Sequence, residues 1–168
     1  MPRTPAGPHP FQRRLLKEYQ GLVKANLPGI TMVQHADTMS EYIFRIQVQH
    51  NPLYPENDRY YLSVRITREY PVDSPQVQFI KYEELDDEEA SEAKIPIHPH
   101  IYSNGHICLN LLGDDWTPAC SVESVLLSVQ SLLGTNQVLE RPPDNDSYVR
   151  HAPLNPKLTK FTYHDDDV

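Results

Sequence analysis

His98-Pro99-His100-Ile101-Tyr102-Ser103-Asn104-Gly105-His106-Ile107-Cys108-Leu109 is the stretch on which the 168-residue chain turns. It gathers His98, His100, His106 and Cys108 with no helical period, and Asn104-Gly105 is a turn signal. In an extended chain, His98 with His100 and His106 with Cys108 would each share a face. From the residues alone three chemistries fit: a buried cysteine with loop histidines, a zinc site of three histidines and one cysteine, and a reactive thiol whose thiolate is favoured by histidines or backbone dipoles. Spacing does not choose among them.

Outward from this stretch, residues 81 to 120 carry little regular pattern, and a connection of that length in a small domain is usually functional or disordered. Its first part is acidic, with Glu83, Glu84, Asp86, Asp87, Glu88, Glu89 and Glu92, and reads as a disordered insertion over 82–93. Upstream, Tyr42, Phe44, Ile46 and Val48 alternate with more polar positions, as do Tyr60, Leu62, Val64 and Ile66. Val77 with Phe79 makes a shorter strand, and 30–35 reads as an edge strand. Residues 51–58 and Tyr70-Pro71 through Ser74-Pro75 read as turns. Phe11, Leu15, Tyr19, Leu22 and Val23 recur at helical spacing, stopped by Pro28-Gly29. Downstream, Val122, Val125, Leu126, Val129, Leu132 and Leu133 form a second stripe, with Ser121 as N-cap and Gly134 as stop. The pattern predicts an α+β domain: an N-terminal helix, a four-stranded antiparallel meander, an irregular loop and a central helix. The prolines Pro142, Pro143, Pro153 and Pro156 predict an irregular C-terminal stretch. The expected divisions are a flexible 1–10, a core over 11–150 and an irregular or flexible 151–168.

Composition narrows the function. The formal net charge of −8 argues against nucleic acid, which calls for a dense basic footprint. Most of the excess sits in the acidic segment and in Asp165, Asp166 and Asp167. No apolar run approaches the roughly 18 residues of a membrane span, and the first ten residues hold no apolar block of a signal peptide. Cys108 and Cys120 are therefore expected as free thiols, in the cytoplasm or nucleus.

The run His98 to Leu109 closely resembles the active-site segment of ubiquitin-conjugating enzymes, in which a His-Pro-Asn tripeptide precedes the catalytic cysteine by the interval seen here from His98 to Cys108. The resemblance continues in order through Tyr70-Pro71-Val72-Asp73-Ser74-Pro75, Asp115-Trp116-Thr117-Pro118-Ala119, the helix Ser121 to Leu133, and Pro142-Pro143-Asp144-Asn145. It implies the family's fold and chemistry. Cys108 would accept ubiquitin as a thioester from the activating enzyme and lose it to an amine, usually beside a ligase. His98 would support the loop, and Cys120 matches no catalytic position. No metal or organic cofactor is implied, ATP being used by the activating enzyme. Arg13, Arg14 and Lys17 would dock the activating enzyme and overlap the ligase site. Val72, Thr117, Pro118 and Ala119 would complete an edge for RING-type or U-box-type ligases, with Trp116 as a structural anchor beside it.

Departures from the family are as informative. His100 replaces the usual asparagine, whose amide is assigned to oxyanion stabilisation, loop support or both; an imidazole keeps a donor. His-Pro-His, with the tail Tyr163-His164-Asp165-Asp166, is similar to the W-type branch, associated with ubiquitin transfer to α-amino groups of flexible N-termini. Asn145, flanked by Asp144 and Asp146, stands where the family often has a carboxylate that orients or activates lysine, so these three are candidate contacts for the acceptor amine. Val72 stands where many members have phenylalanine, which implies a narrower or weaker set of ligases. The rival readings are a lysine-directed enzyme, an enzyme for a ubiquitin-like modifier, a cysteine hydrolase, and a partner-binding scaffold, although family scaffolds lack the cysteine.

Overall fold

The computed structural model describes residues 10–82 and 94–158. The acidic residues 83–93, the first nine residues and 159–168 lie outside the described residues. The expected insertion and N-terminal end therefore fall there almost entirely, and the expected C-terminal division 151–168 falls there from residue 159 onward.

Helix α1 runs Pro10–Lys24 and opens on a proline, whose missing N–H costs nothing in a first turn. Strands β1 (Ile30–His35), β2 (Glu41–Ile46), β3 (Tyr60–Arg65) and β4 (Gln76–Ile80) pair antiparallel in sequential order, the meander the alternating residues call for. The register sets Phe44 opposite Leu62 and Leu62 opposite Phe79, so the apolar positions share one face. Helix α2, Val122–Gly134, begins on Ser121, whose hydroxyl accepts from the Ser124 N–H while Ser124 accepts from the Ser121 N–H. That reciprocal cap, built with serine in place of the usual glutamate, stabilises the helix start by about 1 kcal/mol. One continuous apolar core joins Leu15 and Leu22 of α1, the inner face of the sheet, Ile101 and Ile107 of the loop, and Val122, Val125, Leu126, Val129 and Leu133 of α2.

The stripe read for α1 needs one correction. Val23 is exposed, and the buried line is Leu15, Glu18 and Leu22. A charge is tolerated there because Glu18 accepts from the Tyr70 hydroxyl and from the Val122 N–H at the start of α2, with Arg14 3.5 Å away. Burial still pushes its carboxyl above the ordinary value.

The C-terminal stretch is more regular than its prolines suggest. Helix α3, Asn145–His151, and a 3-10 turn, Pro156–Leu158, interrupt it. Two turns of helix are too short for a hydrophobic period to show, and the Asp144 side chain makes no capping bond, so no local signal marked α3. Beyond it the chain folds back, and Lys157 Nζ donates to the backbone oxygen of Ser74 and, at 2.9 Å, to its hydroxyl.

Candidate functional site

The His98–Cys108 segment closes on itself as a small folded-back loop. Isolated bridges pair His98 with Ile101 and Ile101 with Ile107, the Tyr102 N–H donates to His106 O at 2.9 Å, and the Cys108 N–H donates to His100 O at 2.8 Å. The turn at Ser103–Gly105 brings the two arms together, with the Gly105 N–H on Tyr102 O. Gly105 takes φ +93° and lies against β4, its oxygen accepting from the Phe79 N–H at 2.9 Å. The arm carrying Cys108 is thus an extra strip of sheet beside β4, bridged again between Gln78 and His106.

Three side chains tie the other arm down. The His98 ring accepts the His100 N–H at Nδ1 (2.9 Å), so its proton sits on Nε2, which donates to Leu132 O of α2 at 3.0 Å. Arg141 donates to the carbonyls of Ile95, Pro96 and Ile101 at 2.7–3.1 Å. The Tyr54 hydroxyl donates to Ile97 O at 2.7 Å. Arg141 and Tyr54 are positions the sequence did not single out. Glu140 and Asp144 flank Arg141 in sequence and suggest a local ion pair, whereas the guanidinium binds carbonyls some forty residues away and so leaves no motif.

His98 is neutral in the fold. Burial, and after it the His100 charge, lower its pKa from 6.5 to about 4. Between those values the unfolded chain binds the extra proton, so the stabilisation is complete above pH 6.5 and is lost as pH falls towards 4, by about 3 kcal/mol. His98→Gln should be less stable at neutral pH and lose less on acidification, read as urea midpoints from pH 7.5 to 4.5. Parallel slopes for the two proteins would contradict this assignment.

Cys108 is only 3% exposed. Burial, and then the negative charge of Asp144, push its thiol up to about 11. Neither His98 nor His106 supplies the positive charge that would favour a thiolate. His98 spends both ring nitrogens on backbone groups, and His106, lowered by burial, is engaged by the Tyr148 hydroxyl and the Leu154 backbone. The same commitments leave the His98 ring no nitrogen for a metal, and the described residues hold no group of three or more potential metal ligands. His100 braces Cys108 through its backbone, and its buried imidazole borders a groove with Leu109, Asn110 and α2.

The flank of the loop is closed by α3. The Tyr102 hydroxyl donates to Asp144 Oδ1 at 3.0 Å, and Asn145 accepts from the Ser103 N–H at 2.9 Å and donates to its hydroxyl at 3.2 Å. Asp146 is exposed and accepts from the Asn145 amide at 3.3 Å. Tyr148 stacks on Tyr102 at 3.8 Å between ring centroids, and its hydroxyl lies 2.7 Å from His106 Nδ1. Tyr148 escaped the sequence reading because it lies in the stretch taken as irregular.

A second surface gathers the expected docking residues. Val72 is 74% exposed, and Thr117, Pro118 and Ala119 are exposed beside Trp116, whose indole donates to Pro71 O at 2.8 Å. Arg13 and Lys17 are exposed on α1. Arg14 faces inward instead, donating to Cys120 O at 3.2 Å, pairing with Glu18 and lying over the Tyr70 ring. Its charge holds α1 to the 116–120 loop. The Cys120 thiol is half-buried, 3.6 Å from the Thr117 hydroxyl.

A family model described as ubiquitin-conjugating enzyme matches residues 14–158. The chain is 40% identical to a probable ubiquitin-conjugating enzyme E2 W-A of Danio rerio, covering 93% of this chain and 97% of that one. It is 38% identical to a ubiquitin-conjugating enzyme E2 W of Caenorhabditis elegans, covering 93% and 96%. Among solved structures, the ubiquitin-conjugating enzyme UbcA1 from Agrocybe aegerita superposes with a TM-score of 0.75 at 42% identity, over 88% of this chain and 98% of that one. The matched span runs from α1 through the turn that holds Ser74, and so includes every element that positions Cys108.

Proposed function

The chain belongs to the ubiquitin-conjugating enzyme family, on its W-type branch, and from that premise we propose that Cys108 carries ubiquitin as a thioester and releases it to the α-amino groups of flexible protein N-termini. In the first step the Cys108 sulfur bonds to the ubiquitin carboxyl carbon, the bond to the activating enzyme's sulfur breaks, and that thiolate leaves. In the second a neutral amine attacks the same carbon, the bond to Cys108 breaks, and the amine's surplus proton passes to solvent. Neither step calls for a metal or organic group. His98 and the His100 backbone hold the loop, and the His100 imidazole is a donor for the oxyanion.

Ubiquitin, an activating enzyme and ligases are the family's partners. The edge at Val72, Thr117, Pro118 and Ala119 is the proposed seat of RING-type or U-box-type ligases, with Arg13 and Lys17 facing the activating enzyme. The working compartments on this reading are cytoplasm and nucleus.

The observation that carries α-amine transfer is the engagement of Asp144 and Asn145 by Tyr102 and Ser103. Asn145, which stands where a base for lysine would, is an amide spent on the loop, and Asp144 beside it accepts from Tyr102. An α-amine, with a pKa of about 7.7–8.0 against about 10.4 for lysine, is roughly a quarter neutral in the cell, against about one lysine in a thousand. Such an amine reacts without a strong base. Discharge of the loaded enzyme to a lysine-free peptide with a free N-terminus should exceed discharge to an N-acetylated peptide with one lysine by more than about tenfold at neutral pH. Equal rates would overturn the α-amine assignment and leave a lysine-directed enzyme.

A further inference from the structure

Helix α3 cannot hold its own place. It is seven residues long, buries none of them, and lacks a side-chain cap, and a helix so short is marginal in water. Its position must come from what it touches. Asn145 bonds Ser103 at its first residue, and one aromatic side chain supplies the packing further along: Tyr148 stacks flat on Tyr102 at 3.8 Å and 25°, meets the His106 ring edge-on at 5.7 Å, and places its hydroxyl 2.7 Å from His106 Nδ1. Tyr102 and His106 are both almost fully buried, and they flank the Ser103–Gly105 turn that is bonded to β4.

We propose that Tyr148 is a positioning residue for the acceptor: by pinning α3 to Tyr102 and His106 it fixes where Asp144, Asn145 and Asp146 stand beside Cys108. The Tyr148 N–H also donates to Asp144 O at 2.9 Å, so pin and acidic corner are joined within one turn of backbone. Asp144 lies close enough to the thiol for its charge to act on it. That corner is where a cationic N-terminus would be attracted and from which its neutral form would attack. A peptide acceptor needs the corner held still, because loss of orientation raises the barrier directly. A small nucleophile does not.

The inference rests on the proposed transfer reaction but is tested separately from its amine preference. Enzyme loaded with ubiquitin is discharged in single turnovers to an acceptor peptide carrying whichever amine the wild type uses, and in parallel to hydroxylamine. Tyr148→Ala should slow peptide discharge by at least about fivefold, chiefly in the saturating rate. Its loading and its discharge to hydroxylamine should stay within about twofold of wild type. Tyr148→Phe, which keeps the stack and loses the bond to His106, should fall between the two. Peptide discharge by Tyr148→Ala that is unchanged or faster, or that declines in proportion to hydroxylamine discharge, would overturn the proposal. Failure of the wild type to prefer a free N-terminus would touch only the amine assignment.

Discussion

Cys108→Ser should convert a ubiquitin adduct that thiol reductants cleave into one that survives them, and Cys108→Ala should form no adduct. The expectation follows from leaving groups. Amine attack on the loaded enzyme must expel the atom that position 108 supplies, and an alkoxide leaves far less readily than a thiolate. Discharge from the serine ester should fall by more than about 100-fold, on the order of 3 kcal/mol of barrier. The protein environment sharpens the contrast. Burial and Asp144 hold the Cys108 thiol near 11, above an ordinary thiol, and a leaving group of higher pKa departs more slowly. The same two effects that keep the resting thiol protonated make its thioester more durable against stray thiols. Cys120→Ser is the control: that thiol is half-buried beside Thr117, away from the loop, and its loss should leave loading intact. A reductant-labile adduct on Cys108→Ala would place the carrier elsewhere and defeat the proposed function. Gel mobility with and without reductant reads every variant.

The contrast between α1 and α3 shows what sequence can and cannot disclose here. Alternation in β2 and β3 and the stripe of α2 are legible because each repeats its period over several buried residues. The antiparallel pairing of β1 with β2 follows from the short connection 36–40, whereas the longer stretches 47–59 and 66–75 constrain their strands less. Glu18 is illegible, since a carboxylate on the buried line of α1 becomes tolerable only with Tyr70 and the start of α2 beside it. Arg14 reads as a solvated or docking cation because sequence cannot show that Cys120 O waits across a tertiary contact. At the site, the folded-back loop was announced by Asn104-Gly105 and by the resemblance. The roles of Arg141, Tyr148 and the His106 ring were not, because each depends on segments some forty residues apart meeting in space. Histidines near a cysteine in sequence allow an activated thiolate as one of three readings, but the buried rings of His98 and His106, their pKa values lowered, lend it no charge.

Gly105→Ala should be among the most damaging single substitutions in the chain. At φ +93° the backbone lies where an L side chain is strained, a cost of about 1–3 kcal/mol. Space adds a larger objection, since a Cβ there would stand 1.9 Å from Phe79 O and 2.9 Å from its carbonyl carbon. Neither neighbour is a flexible side chain. Phe79 is a buried residue of the edge strand β4, and its N–H is bonded to Gly105 O, so moving the two backbones apart breaks the contact that attaches the Cys108 arm to the sheet. The loss should be at least about 3 kcal/mol, with ubiquitin loading falling further than stability because Cys108 rides on the displaced arm. The same change at Gly21 should act in the opposite direction. That position lies inside α1 with nothing within 4 Å of a new Cβ, so Gly21→Ala should raise stability by about 0.5–1 kcal/mol. Urea midpoints and single-turnover loading of the two variants decide the matter together. A Gly105→Ala protein that folds and loads like wild type would mean the loop is not docked on β4 through this glycine, and the geometry assigned to Cys108 would fail with it.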